Sequence, residues 1–186
     1  MNKKIILNVG FLLSFLVLNP AAFGMDNVYT IGPGDVLEIS VWKDESLTRE
    51  MAVPPDGVLS FPLVGDIFVN NMTVADLRRR VKEKIAEFVP DATVTVMLLE
   101  INSLKAYVIG KVNNPGAFSV AMNTIVMQIL AMAGGLNPYA SESKIHILRQ
   151  KKGKTQSIFF NYKHVIKGKN LEQNIVLQRG DVVVVP

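Results

Sequence analysis

The stretch that decides the fold begins Tyr29-Thr-Ile-Gly-Pro-Gly-Asp-Val-Leu-Glu-Ile-Ser-Val-Trp42 and closes with Val53-Pro-Pro-Asp-Gly-Val-Leu-Ser-Phe-Pro-Leu-Val-Gly65. Gly32-Pro33-Gly34-Asp35 predicts a tight turn, because glycine permits positive φ and proline presets φ at a turn position. The strand predicted after it alternates, which places three apolar residues on one face, namely Leu37, Ile39 and Val41.

Pro55-Asp56-Gly57 predicts a second turn, which joins residues 51–53 to residues 58–61. The two turns are therefore expected to set a small β-unit in register before any helix appears. Residues 64–69 read as a further short strand, and Asn70-Asn71 as the turn out of it.

An amphipathic helix is predicted next, with Thr73 as its N-cap and Asp76 at its N-terminal end. Pro90 is expected to end it. Its apolar residues recur at helical spacing, at Val74, Leu77, Val81, Ile85 and Phe88. Its basic residues read as a solvated outer face, namely Arg78, Arg79, Arg80, Lys82 and Lys84.

Residues 92–100 alternate as a strand does, and both of its faces are fairly apolar. This pattern predicts a strand buried on both sides, or one at an interface between domains. Residues 101–103 are the expected boundary between two closely packed units.

The second unit is predicted to open with a strand over 105–110, a turn over 113–116 and a strand over 117–120. A helix over 125–133 follows, capped by Asn123 or Thr124, and Gly134-Gly135 supplies a left-handed stop. This helix is apolar nearly all round and is expected to be buried. The methionines in this helix and just before it are interpreted as core residues, namely Met122, Met127 and Met132.

The rest of the chain is predicted to form strands over 145–149 and 157–160, a helical turn over 162–167 and a closing strand within 176–186. Arg179-Gly180-Asp181-Val182 resembles the Gly32-Pro33-Gly34-Asp35-Val36 sequence at the start. We interpret both as one device, a tight turn whose Asp side chain accepts hydrogen bonds from nearby backbone amides.

Residues 1–24 are predicted to be a cleaved secretory signal, with Lys3 and Lys4 before an apolar run and Ala22-Phe23-Gly24 before the cut. A membrane anchor is the alternative, but the run is interrupted and short for a span. Removal leaves 162 of 186 residues with a net charge of +2, from +4 less two lysines. So mild a charge does not favour nucleic acid as a partner.

The chain contains no cysteine. That excludes disulfides, a thiol nucleophile and a lipid-acceptor cysteine, so a lipoprotein is not expected. His146 and His164 lack ligand partners at metal spacing and are interpreted as structural. No nucleophile elbow or phosphate loop is present. Neither a catalytic residue nor a cofactor or metal site is predicted.

A pair of carboxylates of the glycosidase kind is the remaining catalytic alternative. Asp35, Asp56 and Asp66 are the candidates, but each stands beside a glycine in a predicted turn, where Asp is expected for backbone hydrogen bonding alone.

The ordered motifs over residues 29–65 resemble the export domain of the outer-membrane polysaccharide export family. Residues 104–186 resemble a soluble-ligand-binding β-grasp (SLBB) domain, the module that follows it in that family. The likeness rests on Val108-Ile109-Gly110, Pro115 to Phe118, Ala133-Gly134-Gly135, Ile145 to Arg149 and Gly180-Asp181-Val182. The resemblance implies an α+β chain in two parts: an export domain over 28–101, with a mixed β-sheet and one amphipathic helix, and a β-grasp domain over 104–186.

The resemblance also implies a function. The chain would be a periplasmic, outer-membrane-associated, non-catalytic component of a capsule or exopolysaccharide export channel, assembled as a homo-oligomeric ring. Its implied partners are the polysaccharide and an inner-membrane polysaccharide co-polymerase, often a tyrosine autokinase. The alternative is a periplasmic module that binds glycan or a small ligand and forms no channel.

The family motifs are expected to shape turns rather than to contact glycan. In the export domain they are Gly32, Pro33, Gly34, Asp35, Pro55, Asp56 and Gly57. In the β-grasp domain they are Gly116, Gly134, Gly135, Gly180 and Asp181.

The chain departs from the family pattern in ending at Pro186 without a C-terminal amphipathic helix. By this reading it does not cross the outer membrane itself, and it works with a separate outer-membrane channel protein.

Overall fold

The structure is a computed structural model that describes residues 28–151 and 153–186. The predicted signal over residues 1–24 lies outside the described residues. Two separate clusters of buried apolar side chains organise the chain, one between Ile31 and Val96 and the other between Ala106 and Val185. The molecule therefore has two cores, one for each part of the sequence.

The first unit contains strands β1 (Val36–Val41), β2 (Asp44–Ala52), β3 (Val58–Phe61) and β4 (Gly65–Phe68), helix α1 (Val74–Ile85) and strand β5 (Val94–Glu100). Strands β2, β1 and β5 form an antiparallel sheet in that order, and β3 pairs with β4 as a hairpin. Helix α1 packs on β5. The alternation in β1 is as predicted, because its even-numbered residues are only half-buried and its odd-numbered residues are fully buried, with Leu37, Ile39 and Val41 in the core.

The turn at Pro55-Asp56-Gly57 does not set its two flanking strands in one sheet, contrary to expectation. The strand before it, β2, pairs with β1, whereas the strand after it, β3, pairs only with β4. Val53 exchanges backbone hydrogen bonds with Gly34 and Asp35, and that exchange ends the first sheet. The chain then turns away to build a separate hairpin.

Helix α1 starts as predicted and ends earlier than predicted. The Thr73 side chain accepts from the Asp76 amide at 3.0 Å, and the Asp76 carboxylate accepts from Thr73, which completes a capping box. The helix ends at Ile85 rather than at Pro90, and Phe88 is exposed. Val89 packs against the core in its place, so the chain has already left helical geometry where Phe88 stands.

Strand β5 is buried on one face only. Val94 and Val96 lie in the core, but Met97 and Leu99 on the opposite face are each 44% exposed. The expectation of burial on both sides is therefore wrong within this chain, because α1 covers only the inner face.

The second unit contains strands β6 (Lys105–Gly110) and β7 (Gly116–Ser119), helix α2 (Val126–Met132), strands β8 (Ile145–Lys151) and β9 (Lys154–Phe160), helix α3 (Tyr162–Val165) and strand β10 (Val182–Val185). The sheet order is β7-β6-β10-β8-β9. Strand β10 lies parallel to β6 and antiparallel to β8, so the sheet is mixed. The α+β class is confirmed.

Helix α2 differs from expectation at its start and on its surface. Ile125 is its N-cap, while the Thr124 hydroxyl accepts from the Ala121 amide at 2.9 Å instead of capping the helix. Only Val126, Ile129 and Leu130 are fully buried in it, and Met132 is 46% exposed. The helix covers one sheet face, so only its inward side needs to be buried, and Met132 is not a core residue.

Across residues 28–151 and 153–186, none of the helices is both long and apolar enough to cross a bilayer.

Candidate functional site

The two units meet around the buried carboxylate of Asp35, in the Gly32–Asp35 turn. Asp35 Oδ1 accepts from the backbone amides of Asn102 and Ser103 at 3.0 and 2.8 Å. Its Oδ2 accepts from the Gly32 amide at 2.8 Å, from the Ser103 hydroxyl at 3.0 Å and from the Tyr29 hydroxyl. Five donors thus surround a fully buried carboxylate, and three of these hydrogen bonds come from Asn102 and Ser103 in the segment that links β5 to β6.

The electrostatics of the cluster follow from this geometry. Burial alone would raise the pKa of Asp35, but the hydrogen bonds from Tyr29, Gly32 and Ser103 outweigh burial and hold that pKa below its ordinary value of 3.8. Burial, followed by the hydrogen bond to Asp35, raises the pKa of Tyr29 to about 12. Asp35 is therefore ionised and Tyr29 neutral at physiological pH, which suits a fixed structural anchor and leaves neither group free for proton transfer.

Arg179, at the other end of the chain, reaches across to the same turn. Its Nη2 donates to the Thr30 carbonyl at 2.8 Å, and its guanidinium lies directly over Gly32. A Cβ atom at position 32 would overlap the guanidinium. The φ of Gly32 is not positive, so glycine is needed there for the close approach of Arg179 rather than for its backbone conformation. Gly34, by contrast, has φ of +90°, which favours glycine.

The turn before β10 has the same construction as the turn before β1. The amide of Gln178 donates to Asp181 at 2.8 Å, as the Gly32 amide does to Asp35, and Gly180 has φ of +82°. The fully buried Asp181 differs in its other partner, because Arg149 donates to it through Nε at 2.9 Å and Nη2 at 2.7 Å. The repeated device predicted from the sequence is present at both places.

A groove of about 410 Å³ lies between the units beside this cluster. Its walls carry polar and apolar groups from both units, among them Tyr29, Thr30, Asn71, Met122, Gln178 and Arg179. The Nε atom of Arg179 is buried and has no hydrogen-bond partner among the described residues.

The other motif residues lie away from the junction. Asp56 is exposed in its turn, beside Pro55 and Gly57, and accepts from the Val58 amide at 3.0 Å. Gly116 begins β7. Gly134 and Gly135 follow α2 with φ of +74° and +80°, the predicted left-handed stop.

The structure brings no catalytic grouping together in the part of the chain it describes. Of the carboxylates considered above, Asp35 is enclosed, while Asp56 and Asp66 are exposed, and Asp66 accepts from the Ser60 hydroxyl. No group of three or more His, Asp or Glu side chains within residues 28–151 and 153–186 is placed to hold a metal ion. His146 lies on the outer face of β8, and exposed His164 in α3.

Three junction residues were missed by the sequence interpretation, namely Tyr29, Ser103 and Arg179. Nothing local marks them, because their partners are 6 to 149 positions away along the chain. The only available signal was the echo of the two Gly-Asp turns, which places Arg179 two residues before the second Asp.

Two domain models match the chain, in the order expected. Residues 24–99 match the polysaccharide biosynthesis/export protein family, and residues 105–159 match the SLBB domain.

Several relatives align with most of the chain. The polysialic acid transport protein KpsD of Escherichia coli is 27% identical over 167 residues, covering 89% of this chain and 29% of the relative. The EPS I polysaccharide export outer membrane protein EpsA of Ralstonia nicotianae is 31% identical over 180 residues, covering 83% and 46%. The capsule polysaccharide export outer membrane protein CtrA of Neisseria meningitidis is 25% identical over 179 residues, covering 86% and 45%. The chain thus spans less than half the length of these relatives. The names describe one transport protein and two export proteins rather than enzymes, as predicted.

Proposed function

Because this chain belongs to the outer-membrane polysaccharide export family, we propose that it is a non-catalytic component of the channel that exports a capsule or exopolysaccharide through the Gram-negative envelope. The observation that carries the proposal is the match to an export domain followed directly by an SLBB domain. The names of the relatives support the same role.

We further propose that the chain acts as one subunit of a homo-oligomeric ring in the periplasm, associated with the outer membrane. Export through a ring needs no covalent chemistry, because polar groups around a wet lumen let a hydrated glycan slide without tight binding. The junction supports this role, since the Asp35 and Arg179 contacts fix one unit against the other and so give every subunit the same shape.

The proposed partners follow from the family. They are the polysaccharide and an inner-membrane polysaccharide co-polymerase, often a tyrosine autokinase. We propose three further properties with this function. The two domains span residues 28–101 and 104–186, and the motif turns have a structural role. The protein is exported by a cleaved signal peptide and carries no lipid modification.

Deletion of the gene, with polysaccharide measured both outside the cell and in the periplasm, tests the proposal. We expect loss of external polysaccharide, with retention or shutdown of synthesis inside, and rescue by residues 25–186 behind a foreign signal peptide. Unchanged external polysaccharide, in a strain without a second exporter, would contradict an export function.

The second candidate function is a periplasmic module that binds a glycan or small ligand and forms no ring. The groove of about 410 Å³ between the units favours it, because its walls combine polar groups with apolar surface. A binding module should be monomeric with saturable ligand affinity, whereas a channel subunit should oligomerise and bind glycan weakly.

A further inference from the structure

The two units carry opposite charge. Residues 28–101 contain 12 Asp and Glu against seven Lys and Arg, a net charge of −5. Residues 104–186 contain three acidic against eleven basic residues, a net charge of +8. The whole chain, with a net charge of +4, therefore contains an acidic unit and a basic unit. Such units attract each other between copies.

The outer face of the first sheet carries glutamates without ion-pair partners among the described residues, beside exposed apolar side chains. We call it the acidic face and define it by Glu38, Glu50, Met97 and Leu99. Glu38 lies directly opposite Glu50 on β2 and directly opposite Met97 on β5. Like charges opposite each other destabilise a sheet. Neither glutamate forms an ion pair with any residue that the structure describes, so a cation from outside the unit would relieve the repulsion.

The outer face of the second sheet is an exposed apolar surface without acidic residues on its strands. We call it the platform and define it by Tyr107, Ile109, His146, Leu148, Phe159, Val182 and Val184. The strand register arranges them in rows, with Ile109 beside Val184, then His146, then Phe159. Three of them are strongly exposed, Tyr107 at 41%, Ile109 at 46% and Phe159 at 54%. Helix α2 and the second core lie on the opposite side of the sheet.

We propose that the platform of one copy docks on the acidic face of a second copy of this chain. Met97 and Leu99 would pack against Tyr107, Ile109 and Phe159. Lysines around the platform, such as Lys105 on the same face of β6, would pair with Glu38 and Glu50. This inference rests on the proposed function, since it names the contact that would build the ring.

The contact uses two different surfaces of one chain, so it is heterologous. A heterologous contact repeats from copy to copy and closes into a ring when the rotation between neighbours permits. An isologous pairing is disfavoured, because it would set acidic face on acidic face or bring two basic units together.

Two charge variants of the full chain separate the surfaces. Glu38→Lys with Glu50→Lys reverses the charge of the acidic face. Two like charges still lie opposite each other, so the repulsion within the sheet is similar to that in the natural chain. Ile109→Glu with Phe159→Glu places acid on the platform at exposed positions. Glu83→Lys with Glu87→Lys, and Ile166→Glu with Leu171→Glu, make the same changes at exposed sites away from both surfaces and serve as controls.

Sedimentation velocity at rising protein concentration supplies the readout, with circular dichroism as the check on folding. We expect the natural chain and both controls to assemble, and more weakly as salt rises. Each surface variant alone should self-associate about tenfold or more weakly. An equimolar mixture of the two should recover a 1:1 complex, because each supplies the surface that the other lacks.

Three outcomes would overturn the contact: a natural chain that stays monomeric throughout, a surface variant that assembles as the natural chain does, or a mixture that stays monomeric. A monomer whose platform binds polysialic acid, with binding lost in Ile109→Glu with Phe159→Glu, would assign the platform to an anionic glycan instead. The gene deletion remains separate, because unchanged export would contradict the function whatever the assembly shows.

Discussion

At the residue scale, the chain depends on a buried carboxylate that forms no salt bridge with any described residue, Asp35. Asp35 is held by five hydrogen bonds, and the three from Asn102 and Ser103 join its turn to the segment between the two units. An ionised group loses its hydration on burial, and these donors replace it. The motif residue that looked like a local turn former is therefore also the anchor of the junction.

Asp35→Asn should destabilise the protein by about 2–3 kcal/mol, because an amide cannot accept all the hydrogen bonds that the carboxylate does. Denaturant unfolding at neutral pH measures the loss. Asp56→Asn is the matched control, since Asp56 is exposed and its single turn hydrogen bond suits an amide equally well.

The same substitution should change the response to acid. The folded-state pKa of Asp35 is depressed below 3.8, so its contribution is complete above that value and is lost as pH falls through the folded-state pKa. We expect the natural chain to lose stability below about pH 4 and Asp35→Asn to lose less over the same interval. Asp76, whose pKa is lowered by Thr73, acts in the same direction, so some acid dependence should remain. Identical acid profiles for the two proteins would contradict this role.

Gly32→Ala should cost about 1–3 kcal/mol, because the new methyl group overlaps the Arg179 guanidinium. A double-mutant cycle with Arg179→Met isolates the cause. If the overlap is responsible, the cost of Gly32→Ala should fall markedly in the Arg179→Met background. Equal costs in both backgrounds would place the strain elsewhere.

At the element scale, α1 is built from signals that act within a few residues. Its capping box satisfies backbone amides at the N-terminus, and its three buried residues, Leu77, Val81 and Ile85, stand one turn apart. These signals set where the helix starts and which side faces β5. Its C-terminal end at Ile85 is not set by a local signal, because the chain leaves the helix there and Val89, not Phe88, packs against the core.

Thr73→Ala should lower the free energy of unfolding by about 1 kcal/mol, because the Asp76 amide loses its side-chain acceptor. Leu77→Ala should cost more, about 2–5 kcal/mol, because Leu77 is fully buried. Lys82→Ala, an exposed position on the same helix, provides the control and should change stability little. A Thr73→Ala protein as stable as this control would show that the Thr73 cap does not contribute to the free energy of unfolding.

At the scale of the whole molecule, the two units have separate cores but share polar ties through Asp35 and Arg179. Those ties join residues early and late in the chain, since Arg179 donates to Thr30. We expect the units to unfold together for this reason, despite their separate cores.

Arg179→Met keeps most of the side-chain volume and removes the donor to Thr30. Differential scanning calorimetry should then resolve two transitions, or one broadened transition, where the natural chain shows a single cooperative one. Lys169→Met, which removes an exposed cation from the same unit, should retain the single transition. A single sharp transition in Arg179→Met would mean that Asp35 alone couples the units.

Much of the architecture was predictable because its causes are local. The β1 alternation, the Thr73 cap, the left-handed stop at Gly134-Gly135 and both Gly-Asp turns depend on residues within a few positions, and all are present. The predictions were wrong where contacts between elements distant in the sequence set strand pairing or burial. The strand after Pro55-Asp56-Gly57 joined a separate hairpin, and Met97 and Met132 stayed exposed because no element within residues 28–151 and 153–186 covers them.

The sequence by itself determined the two-part α+β plan, the order of the family motifs and the turn geometry around Asp35 and Asp181, because each follows from backbone preferences and short-range patterning. Only the tertiary structure decided that Tyr29, Ser103 and Arg179 close the junction, and that one acidic and one apolar sheet face remain open. Contacts across 68 to 149 positions depend on how the two cores pack, and no local pattern in the chain encodes that packing.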